Sequence, residues 1–212
     1  MIRQKNLKKI KGDASFRYFF RKNNKNLSSI IVYAKKEKKK NLLIYDAINK
    51  ILLKNDILAP KLYSENYSKN FIEIEDFGKE TIFKTLHNKG KNKLLIFKKI
   101  IHLLNKMQLI KDRKITNFKK QNYIIPKYSS RILFEEANLF SSWYLAQKTS
   151  NSNYIKFKKK YEKIIKKLIK KINLRNDIFV HRDFHVSNLM IVKNNIGIID
   201  TQDALIGNKA YD

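Results

Sequence analysis

Between Phe179 and Asp200 the chain sets out, in order, the residue types that phosphoryl transfer from a nucleotide requires. His181-x-Asp183-x-x-x-x-Asn188 is followed, after an apolar run, by Ile198-Ile199-Asp200. In such a reaction one carboxylate orients the attacking hydroxyl and accepts its proton. An amide oxygen and a second carboxylate hold the magnesium that clamps the phosphates. Asp183 fits the first role; Asn188 and Asp200 fit the second. Each alone is an ordinary turn residue, so the weight rests on their spacing and order.

The same segment allows a rival chemistry. His181 and His185 stand at the i, i+4 spacing from which two imidazoles on one helical face can bind zinc. That arrangement wants a helix and a Glu after the first His. Here Arg182 holds the position, the flanking residues are β-branched and aromatic, and the chain has no cysteine. His87 and His102 lie in distant lysine-rich segments. We therefore read His181 as structural, an imidazole that hydrogen-bonds the loop backbone, with Arg182 and His185 as supporting residues. Asp203, close behind Asp200, is either another supporting group or a helix-start carboxylate.

The elements that must position these residues can be read around them. Leu189–Val192 and Ile196–Ile199 are apolar, β-branched runs joined by Lys193-Asn194-Asn195, which predicts a hairpin returning Asp200 towards Asn188. Residues 7–34 read as β structure, with a turn at Gly12-Asp13-Ala14-Ser15, an aromatic strand over Phe16–Arg21 and a buried strand over Ile30–Tyr33. A turn with a Gly and a small hydroxyl residue can lay backbone N–H groups over phosphates, although one Gly in a turn usually only makes the turn. Lys35–Lys40 is a charged loop, and Asn41 opens a helix ending near Asn55. Phe71–Glu75 alternates as a half-buried strand, broken by Asp76-Phe77-Gly78. Helices are predicted over residues 91–109, 128–147 and 154–172, with Phe134, Leu139 and Leu145 in a core-facing stripe and the lysines of 156–171 on a solvated face. The expected class is α+β: a β-rich lobe over residues 1–77 and a mainly helical lobe carrying the catalytic hairpin over residues 78–212.

Composition narrows the partners. The net charge of +29 and pI near 10.1 invite a nucleic-acid reading. Yet the basic residues are overwhelmingly Lys, spread along the whole chain, alongside abundant Asn and Ile and scarce Gly and Pro. That joint bias fits a coding sequence rich in A and T. Arg, the better reader of phosphates and bases, is not enriched, so we expect weak, salt-sensitive polyanion binding rather than specific nucleic-acid recognition. No apolar run has the length of a membrane span, the start lacks a signal-peptide core, and the lack of cysteine fits a reducing compartment; the expectation is cytoplasmic, with no membrane partner.

These residues together resemble the aminoglycoside phosphotransferase and choline kinase superfamily. Its bacterial branch of cell-wall amino-sugar kinases, which phosphorylate N-acetylmuramic acid and N-acetylglucosamine at the anomeric hydroxyl, is the nearest look. The resemblance rests on residues 12–21, on Ile74-Glu75-Asp76-Phe77-Gly78, on residues 139–145, and most closely on residues 180–190 and 199–207. It implies a protein-kinase-like two-lobed fold, with ATP as donor and Mg2+ as cofactor. Asp183 would be the base or hydroxyl-orienting group, and Asn188 and Asp200 the metal ligands. Nucleotide contacts would come from Gly12, Asp13, Ala14 and Ser15 and from the connector at Glu75 and Phe77. Lys35, following a buried strand, is a candidate for the phosphate-gripping lysine, with Lys36 beside it; Asp46 is the only acid on the next helix. The resemblance also implies a C-terminal truncation, since relatives continue past Asp212 into further helices. The acceptor is expected to be an amino sugar. Another small alcohol of aminoglycoside or choline type, and an inactive truncated relative, stay open.

Overall fold

The structure, a computed structural model, describes residues 7–10, 17–23, 28–88, 90, 92–172 and 175–212. The turn expected at Gly12-Asp13-Ala14-Ser15 lies outside the described residues. Five antiparallel strands come first: β1 (Leu7–Ile10), β2 (Arg17–Asn23), β3 (Ser28–Ala34), β4 (Leu62–Asn66) and β5 (Phe71–Glu75), in the order β1-β2-β3-β5-β4. The β-branched run of β3 sits at the centre, where both neighbours can pack on it. Across the β2–β3 ladder Arg17 faces Ala34, Phe19 faces Val32 and Arg21 faces Ile30. Opposite residues share a face of the sheet, so the two arginines stand on the same side as the buried row Ile30, Val32 and Ala34.

Helix α1 (Lys40–Lys54) covers that side. Its Leu42 and Tyr45 pack with Ile30, Val32, Ala34, Ile72 and Ile74 into one apolar cluster. Its later turns place Ile48, Ile51 and Leu52 in a second, larger cluster with Phe179, Val180, Leu189, Ile198 and Leu205. One helix therefore belongs to two cores. It stops in a Schellman-type turn: the Asp56 N–H reaches the Leu53 carbonyl at 3.1 Å and the Ile57 N–H reaches that of Leu52 at 2.9 Å. Asp56 takes the left-handed conformation, φ 53°, usually given to Gly there.

Beyond the sheet come α2 (Ile82–His87), α3 (Lys93–Gln108), α4 (Ser130–Leu139) and α6 (Asn151–Lys171), with the short α5 (Ala146–Lys148) between the last two. Side chains of Thr81, Asn92 and Ser129 accept backbone N–H groups at the starts of α2, α3 and α4. The single helix expected over 128–147 is interrupted: Phe140–Leu145 forms a π-helical turn. The wider turn shifts the register of the apolar side chains, and the predicted core stripe fails there. Leu145 is buried, but Leu139 is 54% exposed and Trp143 71%. Helix α6 likewise presents Ile155, Phe157, Ile164 and Leu168 to solvent among its lysines, rather than a purely charged face. The small hairpin β6 (Lys114–Thr116) with β7 (Asn122–Ile124) was not legible in the sequence.

Two strand pairs then shape the segment that carries Asp183, Asn188 and Asp200. β8 (Ile178–Val180) pairs antiparallel with β11 (Leu205–Gly207), and the hairpin of β9 (Leu189–Val192) with β10 (Asn195–Ile198) lies between them in sequence. Among the described residues no helix is long and apolar enough to cross a membrane.

Candidate active site

The loop between β8 and β9 carries Asp183 and Asn188, and Asp200 stands two residues past the end of β10. The expected hairpin brings them together. The Ile199 N–H donates to the Asn188 carbonyl at 3.0 Å, and the Asn188 amide nitrogen donates to the Asp183 carbonyl at 3.1 Å. Asp183 is exposed, whereas Asn188 and Asp200 are half-buried. Asp200 adopts φ 62°, a left-handed conformation that Asp tolerates through its short polar side chain. Arg182 adopts φ 76°, which costs a long side chain about 1–3 kcal/mol and persists only where the surroundings impose it.

Those surroundings are visible. The Asp212 carboxylate accepts the His181 N–H at 2.6 Å and the Arg182 N–H at 2.8 Å. The Arg182 guanidinium pairs with Glu136, which also accepts the Tyr128 hydroxyl. His181 is fully buried. Its Nδ1 accepts the Asp183 N–H at 3.2 Å and its Nε2 lies 3.0 Å from the Ile199 carbonyl, which defines a neutral imidazole protonated on Nε2. Burial pushes its pKa down, against the opposing pull of Asp212, Asp200 and Asp183. His181 thus joins the Asp183 end of the loop to the Asp200 end. Burial instead raises the Asp212 carboxyl, and the two backbone N–H groups only partly offset that.

The remaining loop residues stay close by. His185 Nε2 lies 3.2 Å from the Asn188 amide nitrogen. Asp203 is exposed and accepts the Gln202 amide at 2.6 Å; its charge, after burial, helps push Tyr123 up to about 12. Asp203 sits in a short 3₁₀ turn, Thr201–Asp203, rather than at the start of an α-helix.

The opposite wall comes from the N-terminal sheet, through residues the sequence reading passed over as strand. Arg17 is 7% exposed; its guanidinium donates to Asp200 Oδ1 at 2.8 Å and to the Gln202 side-chain oxygen. Arg21, on the same face of β2, grips Asp76 through two bonds of 2.6 and 2.9 Å and reaches the Gly78 carbonyl at 2.5 Å. Burial alone would raise the Asp76 carboxyl, but hydrogen bonds from Arg21, Ser28 and the Gly78 N–H outweigh it and hold the group below the usual carboxylate range. The connector of residues 75–78 is thus fixed at Asp76. The Glu75 N–H is bound to the Lys61 carbonyl at 2.8 Å. Phe77 lies against the β9–β10 hairpin: a Cβ on Gly197 would stand 2.6 Å from its ring.

Lys35 follows β3 at the entry to the charged turn, with its side chain exposed, and is not among the partners of Asp200. Asp46 is turned elsewhere, bonded to Lys50 Nζ at 2.8 Å and to the Phe118 N–H at 2.7 Å. Instead α1 offers neutral groups to the site. Asn49 accepts the Thr201 hydroxyl at 2.6 Å, and Tyr45, hydrogen-bonded to Asn49, is held strongly protonated by burial.

The donor set suits a small hard cation. With its nitrogen engaged at the Asp183 carbonyl, Asn188 keeps an amide oxygen, and Asp200 supplies a carboxylate that already attracts a positive group in Arg17. Among the described residues no group of three or more His, Cys, Asp or Glu could hold a metal alone. Two oxygen ligands completed by phosphates and water are the usual arrangement for Mg2+.

Comparison with known proteins bears on the family and the fold. The chain matches the Phosphotransferase enzyme family over residues 6–212. It is 25% identical over 203 residues to the N-acetylmuramate/N-acetylglucosamine kinase of Neisseria meningitidis serogroup B, covering 94% of this chain and 57% of that protein. To the kinase of the same name from Pseudomonas aeruginosa it is 26% identical over 200 residues, covering 94% of this chain and 56% of that one. The chain thus spans a little over half the length of these relatives. Among solved structures, the ternary complex of APH(2")-IIa with streptomycin and ATP superposes with a TM-score of 0.66 at 13% identity, covering 97% of this chain and 68% of that one. That likeness is one of fold, the α+β, two-lobed kinase architecture.

Proposed function

We propose that this chain, which belongs to the Phosphotransferase enzyme family, carries the nucleotide-binding and catalytic parts of an ATP-dependent kinase for a small hydroxyl compound, foremost an amino sugar. The observation that carries the reading is the convergence of Asp183, Asn188 and Asp200, through the bonds from Asn188 to Asp183 and from Ile199, the neighbour of Asp200, to Asn188, with a buried arginine on Asp200. The acceptor reading draws on two relatives named as N-acetylmuramate/N-acetylglucosamine kinases that align with 94% of the chain. It brings with it a cytoplasmic setting and a part in re-using cell-wall sugars. In this reading residues 1–77 form the nucleotide lobe and residues 78–212 the catalytic lobe.

The chain's own groups have distinct tasks. Asp183, exposed at the loop's edge, orients the acceptor hydroxyl and takes up its proton as the phosphoryl group moves. Asn188 and Asp200 would hold Mg2+, which when bound neutralises charge on the phosphates. His181 and Asp212 hold the loop so that these groups need no rearrangement at the moment of reaction. The connector at Glu75 and Phe77, fixed by Arg21, would border adenine. Catalysis would then be positioning and charge neutralisation, as a loose phosphoryl-transfer transition state demands.

The test is phosphorus NMR of Mg-ATP turnover with N-acetylmuramic acid and with N-acetylglucosamine, beside an Asp183→Asn control. A sugar-phosphate signal that the control lacks is the expected result. ATP bound but no phosphorylated product from either sugar would overturn the amino-sugar assignment.

A further inference from the structure

We propose that Arg17 is the cation with which the N-terminal lobe grips the donor's phosphates. This deepens the nucleotide-binding reading above and rests on it. A polyphosphate lying against Asp200 and its metal needs positive charge from the facing lobe as well. Strand β3 (Ser28–Ala34) contains no lysine, and Ala34, opposite Arg17 in the ladder, is fully buried. Lys35 comes one residue later; the alternation that turns Ala34 inward leaves it on the other side, exposed. The only acid of α1, Asp46, is committed to Lys50 and Phe118, so that helix presents no carboxylate with which to hold a lysine over Asp200.

Arg17 meets each requirement that these groups miss. It is buried on the inner face of β2 and carries a planar guanidinium. Its guanidinium already lies on Asp200, the residue that faces the phosphates in this reading. The Gln202 amide fixes its placement, since the amide nitrogen donates to Asp203 and the oxygen accepts from Arg17. The planar fork of a guanidinium also matches two phosphate oxygens better than an ammonium does. Before nucleotide binds, the Asp200 carboxylate and the guanidinium neutralise each other. Once it binds, the phosphates and metal give each a new partner.

The test is calorimetric titration of Mg-AMP-PNP and of AMP into the wild-type chain, Arg17→Ala, Arg17→Gln, Arg17→Lys and Lys35→Ala, each checked for a cooperative thermal transition. Removing the charge should weaken AMP-PNP by about 10- to 100-fold. AMP, which lacks the outer phosphates, should change by less than about 2-fold, a split that mere loss of packing would not produce. Arg17→Lys should recover part of the affinity, and Lys35→Ala should bind as wild type does. Arg17→Gln serves if the alanine variant does not fold. A folded, uncharged Arg17 variant with wild-type AMP-PNP affinity, equal losses for AMP and AMP-PNP, or a loss confined to Lys35→Ala would each overturn the assignment. No AMP-PNP binding by the wild-type chain would overturn the nucleotide reading itself, and this inference with it.

Discussion

From His181 to Asp200 the contacts that bring the three site residues together are made between near neighbours: Asn188 bonds Asp183 across 5 positions, and His181 meets Ile199 across 18, although Asp212 and Glu136 brace the loop from 31 and 46 positions away. The arginines of β2 work over another range. Arg21 reaches Asp76 across 55 positions and Arg17 reaches Asp200 across 183. One side of the site is mainly a local motif, braced from outside by Glu136 and Asp212. The other is assembled only when the sheet and the hairpin are both in place. The first wall should therefore be sensitive mainly in its chemistry, and the second in both folding and binding.

The largest effect expected is at the local wall. Asp183→Asn should lower phosphoryl transfer by about 10²- to 10⁴-fold, the usual worth of a positioned base. The exposed carboxylate contributes little to packing, so thermal stability and nucleotide affinity should stay near wild type. Steady-state kinetics with calorimetry checks this; near-wild-type turnover would remove Asp183 from the mechanism.

Next comes the assembled wall. Arg21→Ala would leave the Asp76 side chain, 2% exposed, without its cation. A loss of about 2–3 kcal/mol in urea-unfolding stability should follow, as for a buried charge deprived of its partner. Unchanged stability would mean that the connector is held by other contacts.

The smallest effect is a pH dependence within the loop. Burial lowers the His181 pKa from its ordinary value of about 6.5. The folded state therefore favours the neutral ring. Its contribution is complete above about pH 6.5 and is lost as pH falls through the lowered folded pKa, with a slope of up to about 1.4 kcal/mol per pH unit. Unfolding curves between pH 7.5 and 5 should show this slope in the wild-type chain and lose it in His181→Gln. Equal slopes in the two would place the pH sensitivity elsewhere.

The same contrast explains what could be read from the sequence. The loop and hairpin that carry Asp183, Asn188 and Asp200 were legible because the apolar runs around them announce both. Arg17 and Arg21 were not, because nothing in β2 states which distant carboxylate each will meet. A signal was nonetheless present. In a chain that uses Lys almost everywhere, Arg17, Arg21, Arg113 and Arg182 are, among the described residues, positions where a forked guanidinium makes several hydrogen bonds in partly buried surroundings. The sparing use of Arg marked those places better than Lys35, which sits in a lysine run. The stripe through Leu139 misled for a different reason, since helical periodicity assumes an unbroken α-helix and the π turn at Phe140–Leu145 breaks it.

The measurement that bears most directly on the two walls meeting over a nucleotide is ATP affinity as a function of Mg2+ concentration, in the wild-type chain and in Asp200→Asn. Affinity should rise with Mg2+ in the wild type, and that rise should vanish in the variant. An Mg2+-dependent gain of the same size in Asp200→Asn would contradict the assignment of Asp200 as the carboxylate on which the site is built.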